Sequence, residues 1–186
     1  SHLPQGVNDI LLERDGMAWL ATENGPVKTR LSRNGEKIAL VNHILPQWNY
    51  KNRAQGDRRI DYIKKAADGT IYFSDLVRVF VLKEDRIELL HTITNNRDPI
   101  LSLFPISASK IFFHSVKTEI HKIENGMHTN IPHKILYRPG VNDNAEGIWH
   151  IGTFGLYLFH PQTATASRFI NIQEEGVDGA TPMIKD

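Results

Sequence analysis

Short runs in which apolar and polar residues alternate recur along most of the chain, and this is the pattern of β-strands with two differently packed faces. No long stretch keeps the apolar period of a helix. β-Branched and aromatic residues, which favour strands, are concentrated in residues 71–73, 77–82, 110–113 and 148–151. The pattern therefore predicts an all-β protein.

Turn dipeptides separate these runs. Asparagine or aspartate followed by glycine favours the positive backbone angles of tight two-residue hairpins. Such pairs lie between apolar runs at Asp15-Gly16, Asn24-Gly25, Asn34-Gly35, Asp68-Gly69 and Asn125-Gly126. The strands are therefore expected to form antiparallel hairpins.

Four segments repeat one pattern: a tight turn, two further residues, a residue with a ring, an apolar residue, and then small or polar residues. The turns at residues 16, 69, 109 and 147 are separated by 53, 40 and 38 residues. A period near 40 residues with strand-type composition is typical of β-propeller blades of about four strands. The alternative is an unrelated β-sandwich with chance similarity between hairpins, and the third copy is the weakest because it has Ser109 in place of glycine.

The ring position of the repeat holds Trp19, Tyr72, Phe112 and His150. A ring that recurs at one strand position is expected to pack between neighbouring blades, because it buries a large apolar area there. His150 is expected to be a hydrogen-bonded core histidine, with the adjacent Trp149 supplying the bulk that a histidine lacks.

The repeat divides the chain, residues 1–186, into a partial β-propeller. Blades of four antiparallel strands are predicted at about 7–57, 58–97, 98–131 and 132–173, the first with an insertion that ends near residue 57. Residues 176–186 are similar to residues 6–15, and residues 174–186 are therefore predicted to form the first strand of a fifth blade. The prediction is about four blades and the start of another, as a fragment of a larger propeller.

At residues 7–15, 16–22 and 152–159 the sequence resembles the two-component regulator propeller repeat, and the resemblance extends over nearly the whole chain except about 36–58. Members of that family usually form the extracytoplasmic sensor of hybrid histidine kinases in bacteria that degrade polysaccharides. The resemblance implies a periplasmic sensor piece, with a membrane helix and a cytoplasmic kinase in the parent protein. The repeat itself is structural and implies no catalytic residues.

Net charge and residue composition limit the classes of binding partner that the sequence predicts. The chain has 22 basic and 21 acidic residues, a net charge of +1, so neither nucleic acid nor an anionic membrane surface is predicted as a partner. The absence of cysteine excludes disulfides, thiolate metal sites and a cysteine nucleophile. No apolar run approaches the roughly 20 residues of a spanning helix, so no membrane insertion is predicted for this chain.

The titratable residues form no recognisable catalytic or metal-binding pattern. His114 and His121 are seven residues apart, and His128 and His133 are five apart. Odd separations place strand residues on opposite faces, so no metal site is predicted. Aspartate and glutamate are spread over turns, so no catalytic residue and no cofactor are predicted, although a paired-carboxylate hydrolase stays conceivable.

The insertion supplies the candidate ligand-binding residues, Trp48, Tyr50 and Arg53. Aromatic faces stack on sugar rings, arginine binds hydroxyls or carboxylates, and loops on rigid scaffolds often carry recognition. The alternative is a surface loop in which Trp48 covers a blade edge. The leading hypothesis is a non-enzymatic sensor that binds an oligosaccharide. A propeller-type polysaccharide lyase or glycosidase fragment and a protein-interaction scaffold are the alternatives, and self-association or binding to the rest of the parent propeller is also expected.

Overall fold

The computed structural model describes residues 6–14, 16–30, 59–84, 86–94, 98–116, 119–132, 141–143, 147–152, 155–160, 163 and 165–171. From residue 141 onward, side chains are described only at residues 158–160 and 163. The chain divides into two compact units, Ser1–Thr94 and Asn95–Asp186.

The first unit contains two antiparallel sheets in which strands that follow one another in sequence are neighbours in space. The first sheet consists of β1 (Val7–Leu12), β2 (Met17–Thr22) and β3 (Gly25–Arg30). The second sheet consists of β4 (Tyr62–Lys65), β5 (Ile71–Ser74), β6 (Arg78–Lys83) and β7 (Arg86–Thr92).

The second unit repeats this arrangement with two four-stranded antiparallel sheets. The third sheet consists of β8 (Ile100–Ser107), β9 (Lys110–Ser115), β10 (Glu119–Glu124) and β11 (Met127–Pro132). The fourth sheet consists of β12 (Val141–Asp143), β13 (Gly147–Gly152), β14 (Gly155–His160) and β15 (Thr165–Asn171).

The described residues contain no helix, and so none that is long and apolar enough to cross a membrane. The all-β fold is confirmed, and antiparallel sheets of four strands are confirmed for the second, third and fourth blades, whereas the first sheet has three strands among the described residues. The blade boundaries and the predicted strand at 174–186 stay predictions, and residues 172–186 lie outside the described part of the chain.

Predicted hairpin turns that lie within the described residues have the expected positive φ angles. Asn125 and Gly126 join β10 to β11 with φ values of 52° and 78°, which is the left-handed backbone of a type I′ turn. Gly16 lies between β1 and β2 with a φ of 78°, and Gly69 lies between β4 and β5 with a φ of 92°. These positions favour glycine because a side chain at positive φ is strained.

Each unit has an aromatic contact between successive sheets. Trp19 of β2 meets Phe73 of β5 edge to face, with ring centroids 5.5 Å apart, within a cluster that also contains Ile60 and Ile63. In the second unit Phe112 of β9 meets Phe159 of β14 in the same way, with centroids 5.3 Å apart. The prediction that ring residues pack between neighbouring blades is confirmed for Trp19 and Phe112.

Strand register changes the alignment of the fourth copy. Leu11 pairs with Trp19, Lys64 with Tyr72 and Phe104 with Phe112, so these hairpins are centred on residues 15, 68 and 108 and each ring lies four residues beyond the centre. In the fourth sheet Val141 pairs with Trp149, which centres the hairpin on residue 145. The ring position there is Trp149, and the assignment to His150 is wrong by one residue.

Candidate functional site

The sequence-predicted ligand residues Trp48, Tyr50 and Arg53 lie outside the described residues. The described chain leaves β3 at Arg30 and resumes at Arg59, next to the second sheet. The structure therefore neither brings these three side chains together nor separates them, and their role stays a prediction.

A histidine cluster is the clearest concentration of reactive side chains in the second unit. His121 of β10 pairs with Phe113 on β9 and with Asn130 on β11, while His128 pairs with Ile123. Directly paired residues of an antiparallel sheet share a face, and residues two apart on one strand do as well. Phe113, His121 and His128 therefore lie on the same face of the third sheet.

The two imidazoles are hydrogen-bonded to each other and to a buried hydroxyl. His121 Nδ1 lies 3.0 Å from His128 Nε2, and His121 Nε2 lies 3.1 Å from Ser115 Oγ. The His121 ring is buried and stacks on Phe113 with a centroid distance of 4.6 Å and an interplanar angle of 3°. Because His128 is exposed, this chain of polar groups runs from buried Ser115 to solvent.

Two proton arrangements satisfy the cluster. When the His121 Nδ1 lone pair accepts from His128 Nε2–H, His121 Nε2–H donates to Ser115 Oγ. When His121 Nδ1–H donates to His128, the Ser115 hydroxyl donates to His121 Nε2 instead. The contact needs one unprotonated nitrogen among the two that face each other, so it is incompatible with two imidazolium rings.

Sequence spacing alone missed this pair, although a signal was present. The Asn125-Gly126 turn fixes Glu124 opposite Met127, and this places His121 and His128 diagonally across the hairpin. The cluster offers two imidazoles. Across the part of the chain that the structure describes, no group of three or more histidine, cysteine, aspartate or glutamate side chains is placed to hold a metal ion.

Acidic side chains in the first unit join the first two sheets. Asp9 Oδ2 accepts hydrogen bonds from Ile63 N at 3.1 Å and from Lys64 Nζ at 2.8 Å. Glu13 lies 3.7 Å from Lys65 Nζ, and Glu23 lies 3.4 Å from Arg59. Asp61 holds Arg59 as well, and this hydrogen bond raises the guanidinium pKa. These carboxylates are engaged with cations, so they serve the packing of the sheets.

Two further ionisable groups are shifted by their surroundings. Burial raises the pKa of Tyr72 to about 12, with a smaller contribution from the negative charge of Asp68. Hydrogen bonds from Lys122 and then from Lys110 lower the pKa of the Glu124 carboxyl. Neither group converges with a nucleophile or a second carboxylate in a way that suggests acid–base chemistry.

No family model matches the chain, and no curated protein sequence matches it. Solved structures do. The extracellular domain of a one-component system from B. thetaiotaomicron superposes with a TM-score of 0.65 at 14% identity, over 94% of this chain and 24% of that chain. The streptogramin B lyase structure gives 0.57 at 16% identity, over 91% of this chain and 70% of that one. Apo AztD from Citrobacter koseri superposes with a TM-score of 0.57 at 11% identity, over 91% of this chain and 48% of that chain.

These similarities establish the fold and leave activity open, because all three identities are low. One similar structure is the extracellular domain of a one-component system and another is a lyase. The present chain spans about a quarter of the length of the first of them, 24%.

Proposed function

We propose that this chain is a ligand-sensing part of an extracytoplasmic β-propeller in a bacterial signalling protein. The observation that supports it most is the superposition on an extracellular domain of a one-component system over 94% of the chain. The blade repeat supports the same assignment independently, because it resembles the propeller repeat of two-component regulators. A periplasmic location, with a signalling domain elsewhere in the parent protein, follows from this proposal.

The proposed ligand is an oligosaccharide, and the proposed contact region is the insertion with Trp48, Tyr50 and Arg53. Indole and phenol faces stack on the apolar faces of sugar rings, as they do on other ring systems. The Arg53 guanidinium adds fixed donors for hydroxyls or for the carboxylates of acidic sugars. A binding role also fits Asp9, Glu13 and Glu23 of the first unit, whose carboxylates are paired with cations.

A panel of neutral and acidic oligosaccharides, titrated by calorimetry, tests this proposal. Saturable binding without turnover is expected, and Trp48→Ala or Arg53→Ala is expected to weaken it at least tenfold. Arg14→Ala is the matched control, because Arg14 is an exposed arginine beside the first hairpin, and it should leave binding unchanged.

The other outcomes are equally informative. Cleavage of any glycan by the purified chain would favour the lyase or glycosidase alternative, which the structural similarity to streptogramin B lyase keeps in view. Binding that survives both substitutions would reject the insertion as the contact region. Absence of binding across the panel would reject the carbohydrate ligand and favour an interaction scaffold.

A further inference from the structure

Two histidine nitrogens face each other on the third sheet. His121 Nδ1 and His128 Nε2 are 3.0 Å apart, and a proton on one of them forms the hydrogen bond between the rings. Each of these nitrogens carries a lone pair in the tautomer that has lost this proton, and neutral imidazole is the most common metal ligand in proteins. We refer to His121 and His128 as the histidine pair.

The separation of the two nitrogens fits one class of metal geometry. Metal–nitrogen bonds to histidine are about 2.0–2.1 Å long, so two ligands 3.0 Å apart subtend roughly 91–97° at a shared ion. This angle is close to the value of about 90° in square-planar or tetragonal Cu(II) and Ni(II) sites, and below the value of roughly 109° in tetrahedral zinc sites. Because His128 is exposed, a rotation of its ring directs both lone pairs to one point beside the present contact.

Ser115 and Phe113 prepare His121 to be a ligand. Metal-binding histidines almost always donate their second N–H to a neighbouring acceptor, which fixes the tautomer and the ring orientation. When His121 Nε2–H donates to Ser115 Oγ across 3.1 Å, His121 Nδ1 keeps its lone pair. The stack on Phe113, with centroids 4.6 Å apart, holds the ring plane as well. The buried histidine is therefore the fixed ligand, and the exposed one is the ligand that adjusts.

The lysines of β9 and β10 lie on the other face of the third sheet. Lys122 follows His121 directly along β10, and adjacent strand residues point to opposite faces. Lys110 pairs with Glu124, which lies on the same face as Lys122. Both ammonium groups bind the Glu124 carboxylate, at 3.2 Å from Lys110 and 2.9 Å from Lys122. Neither lysine therefore stands beside a metal ion at the histidine pair to repel it.

We propose that His121 Nδ1 and His128 Nε2 chelate one Cu(II) ion, with water at its other positions. Cu(II) fits because the two nitrogens subtend nearly a right angle, and because it binds nitrogen ligands more tightly than the other divalent first-row metals do. The proton between the rings moves through solvent to His128 Nδ1, so both imidazoles stay neutral, no net proton is released and the copper keeps its oxidation state. Two protein ligands make the ion exchangeable, and the site does not depend on the oligosaccharide proposal.

Calorimetric titration of the purified chain with copper(II) chloride at neutral pH tests the site. All variants carry His2→Ala, because a histidine next to a chain terminus can chelate copper together with the terminal amine. One Cu(II) per chain is expected, with low micromolar or tighter affinity, and Ni(II) and Zn(II) should bind more weakly. His128→Ala is expected to weaken copper binding at least tenfold. His91→Ala is the matched control, because it removes a histidine from β7 and should bind copper as the parent chain does.

Electron paramagnetic resonance of the one-to-one complex gives a readout of the ligands themselves. Hyperfine coupling to two imidazole nitrogens is expected in the parent chain and to one at most in His128→Ala. Thermal melting without copper separates lost binding from lost folding, because the exposed His128 can be removed with little change in the melting temperature. Stoichiometric copper should raise the melting temperature of the parent chain and have less effect on His128→Ala.

Three results would overturn the proposal. Copper binding that survives both His121→Ala and His128→Ala would place the ion at other histidines. Tighter binding of Zn(II) than of Cu(II) would contradict the assigned geometry. Failure of copper to saturate the chain at high micromolar concentration would leave the histidine pair as a packing contact of the third sheet.

Discussion

Trp19 and Phe112 illustrate at the scale of single residues why a ring recurs in each blade. Each ring meets an aromatic ring of the next sheet edge to face, at interplanar angles of 70° and 71°, an arrangement that complements the charge distribution of the rings. Lys28 Nζ and Lys110 Nζ lie 5.3 Å and 5.4 Å from the centroids of these two rings. In the first and third sheets, one residue thus combines apolar burial, an aromatic contact and a cation–π contact.

Trp19→Ala is expected to lower the free energy of unfolding by about 3–5 kcal/mol, as aromatic truncations in cores do. Trp19→Phe is the matched comparison and should cost less than about 2 kcal/mol, because it keeps a ring and removes Nε1–H. That donor is buried without a hydrogen-bond partner among the described residues. Urea unfolding measures both changes. Equal stability of Trp19→Ala and the parent chain would contradict the assignment of Trp19 to the blade core.

The raised pKa of Tyr72 predicts that the free energy of unfolding falls at alkaline pH. Its pKa of about 12 exceeds the ordinary phenol value near 10. Below pH 10 both folded and unfolded forms keep the proton, and between pH 10 and 12 only the unfolded form releases it. The stability that this residue contributes is therefore fully present below about pH 10 and is lost by about pH 12, amounting to about 2–3 kcal/mol. Urea unfolding at pH 9 to 12 should show a steeper loss for the parent chain than for Tyr72→Phe, and parallel curves would reject the effect.

The assignment of His150 to the ring position, where the register places Trp149, shows the limit of aligning the repeats by sequence. Three ring positions could be predicted from a turn followed by an aromatic residue. In the fourth copy the sequence pattern makes Gly147 the turn, whereas Gly147 is already paired with Asp143 in the strand. A glycine marks a possible turn and a possible strand residue equally well, so only the pairing of the backbone decides between them.

At the scale of strands and hairpins, the histidine cluster shows that register creates contacts that spacing along the chain conceals. His121 and His128 are brought together by the type I′ turn between them, and Ser115 and Phe113 are added by the neighbouring strand β9. The turn dipeptide was visible in the sequence, so the diagonal pair was predictable once the hairpin was drawn. The hydrogen bond to Ser115 was not, because it depends on the pairing of β9 with β10.

His121 and His128 are expected to contribute differently to the free energy of unfolding. His121→Ala is expected to cost about 2–4 kcal/mol, because it removes a buried ring that stacks on Phe113 and leaves the Ser115 hydroxyl without this contact. His128→Ala should cost less than about 1 kcal/mol, since His128 is exposed and water can replace its hydrogen bond. Chemical denaturation of the two variants checks the ranking, and a reversed order would contradict the described burial.

The hydrogen bonds of Asp9 connect the first sheet to the second, and a substitution measures how much they stabilise the fold. Asp9→Ala is expected to cost about 1–3 kcal/mol, because the partly buried Ile63 N–H loses its acceptor and Lys64 loses its partner. Glu88→Ala is the matched control: its pair with Lys83 is half exposed and stays within one hairpin, so it should cost less than about 0.5 kcal/mol. Thermal melting distinguishes them, and similar small losses for both would show that Asp9 adds little to the sheet contact.

At the scale of the whole molecule, the repeat predicted strands, hairpins and blade type because these depend on local patterns that recur four times. The function was less accessible. The predicted ligand residues lie in the insertion, which departs from the repeat and so has no internal copy to compare with. The exposure of Ile10 and Leu12 on β1, 54% and 65%, was also invisible in the sequence, since these residues differ from buried strand residues only in what covers them. Exposure is a property of the assembled sheets, and a single strand does not reveal it.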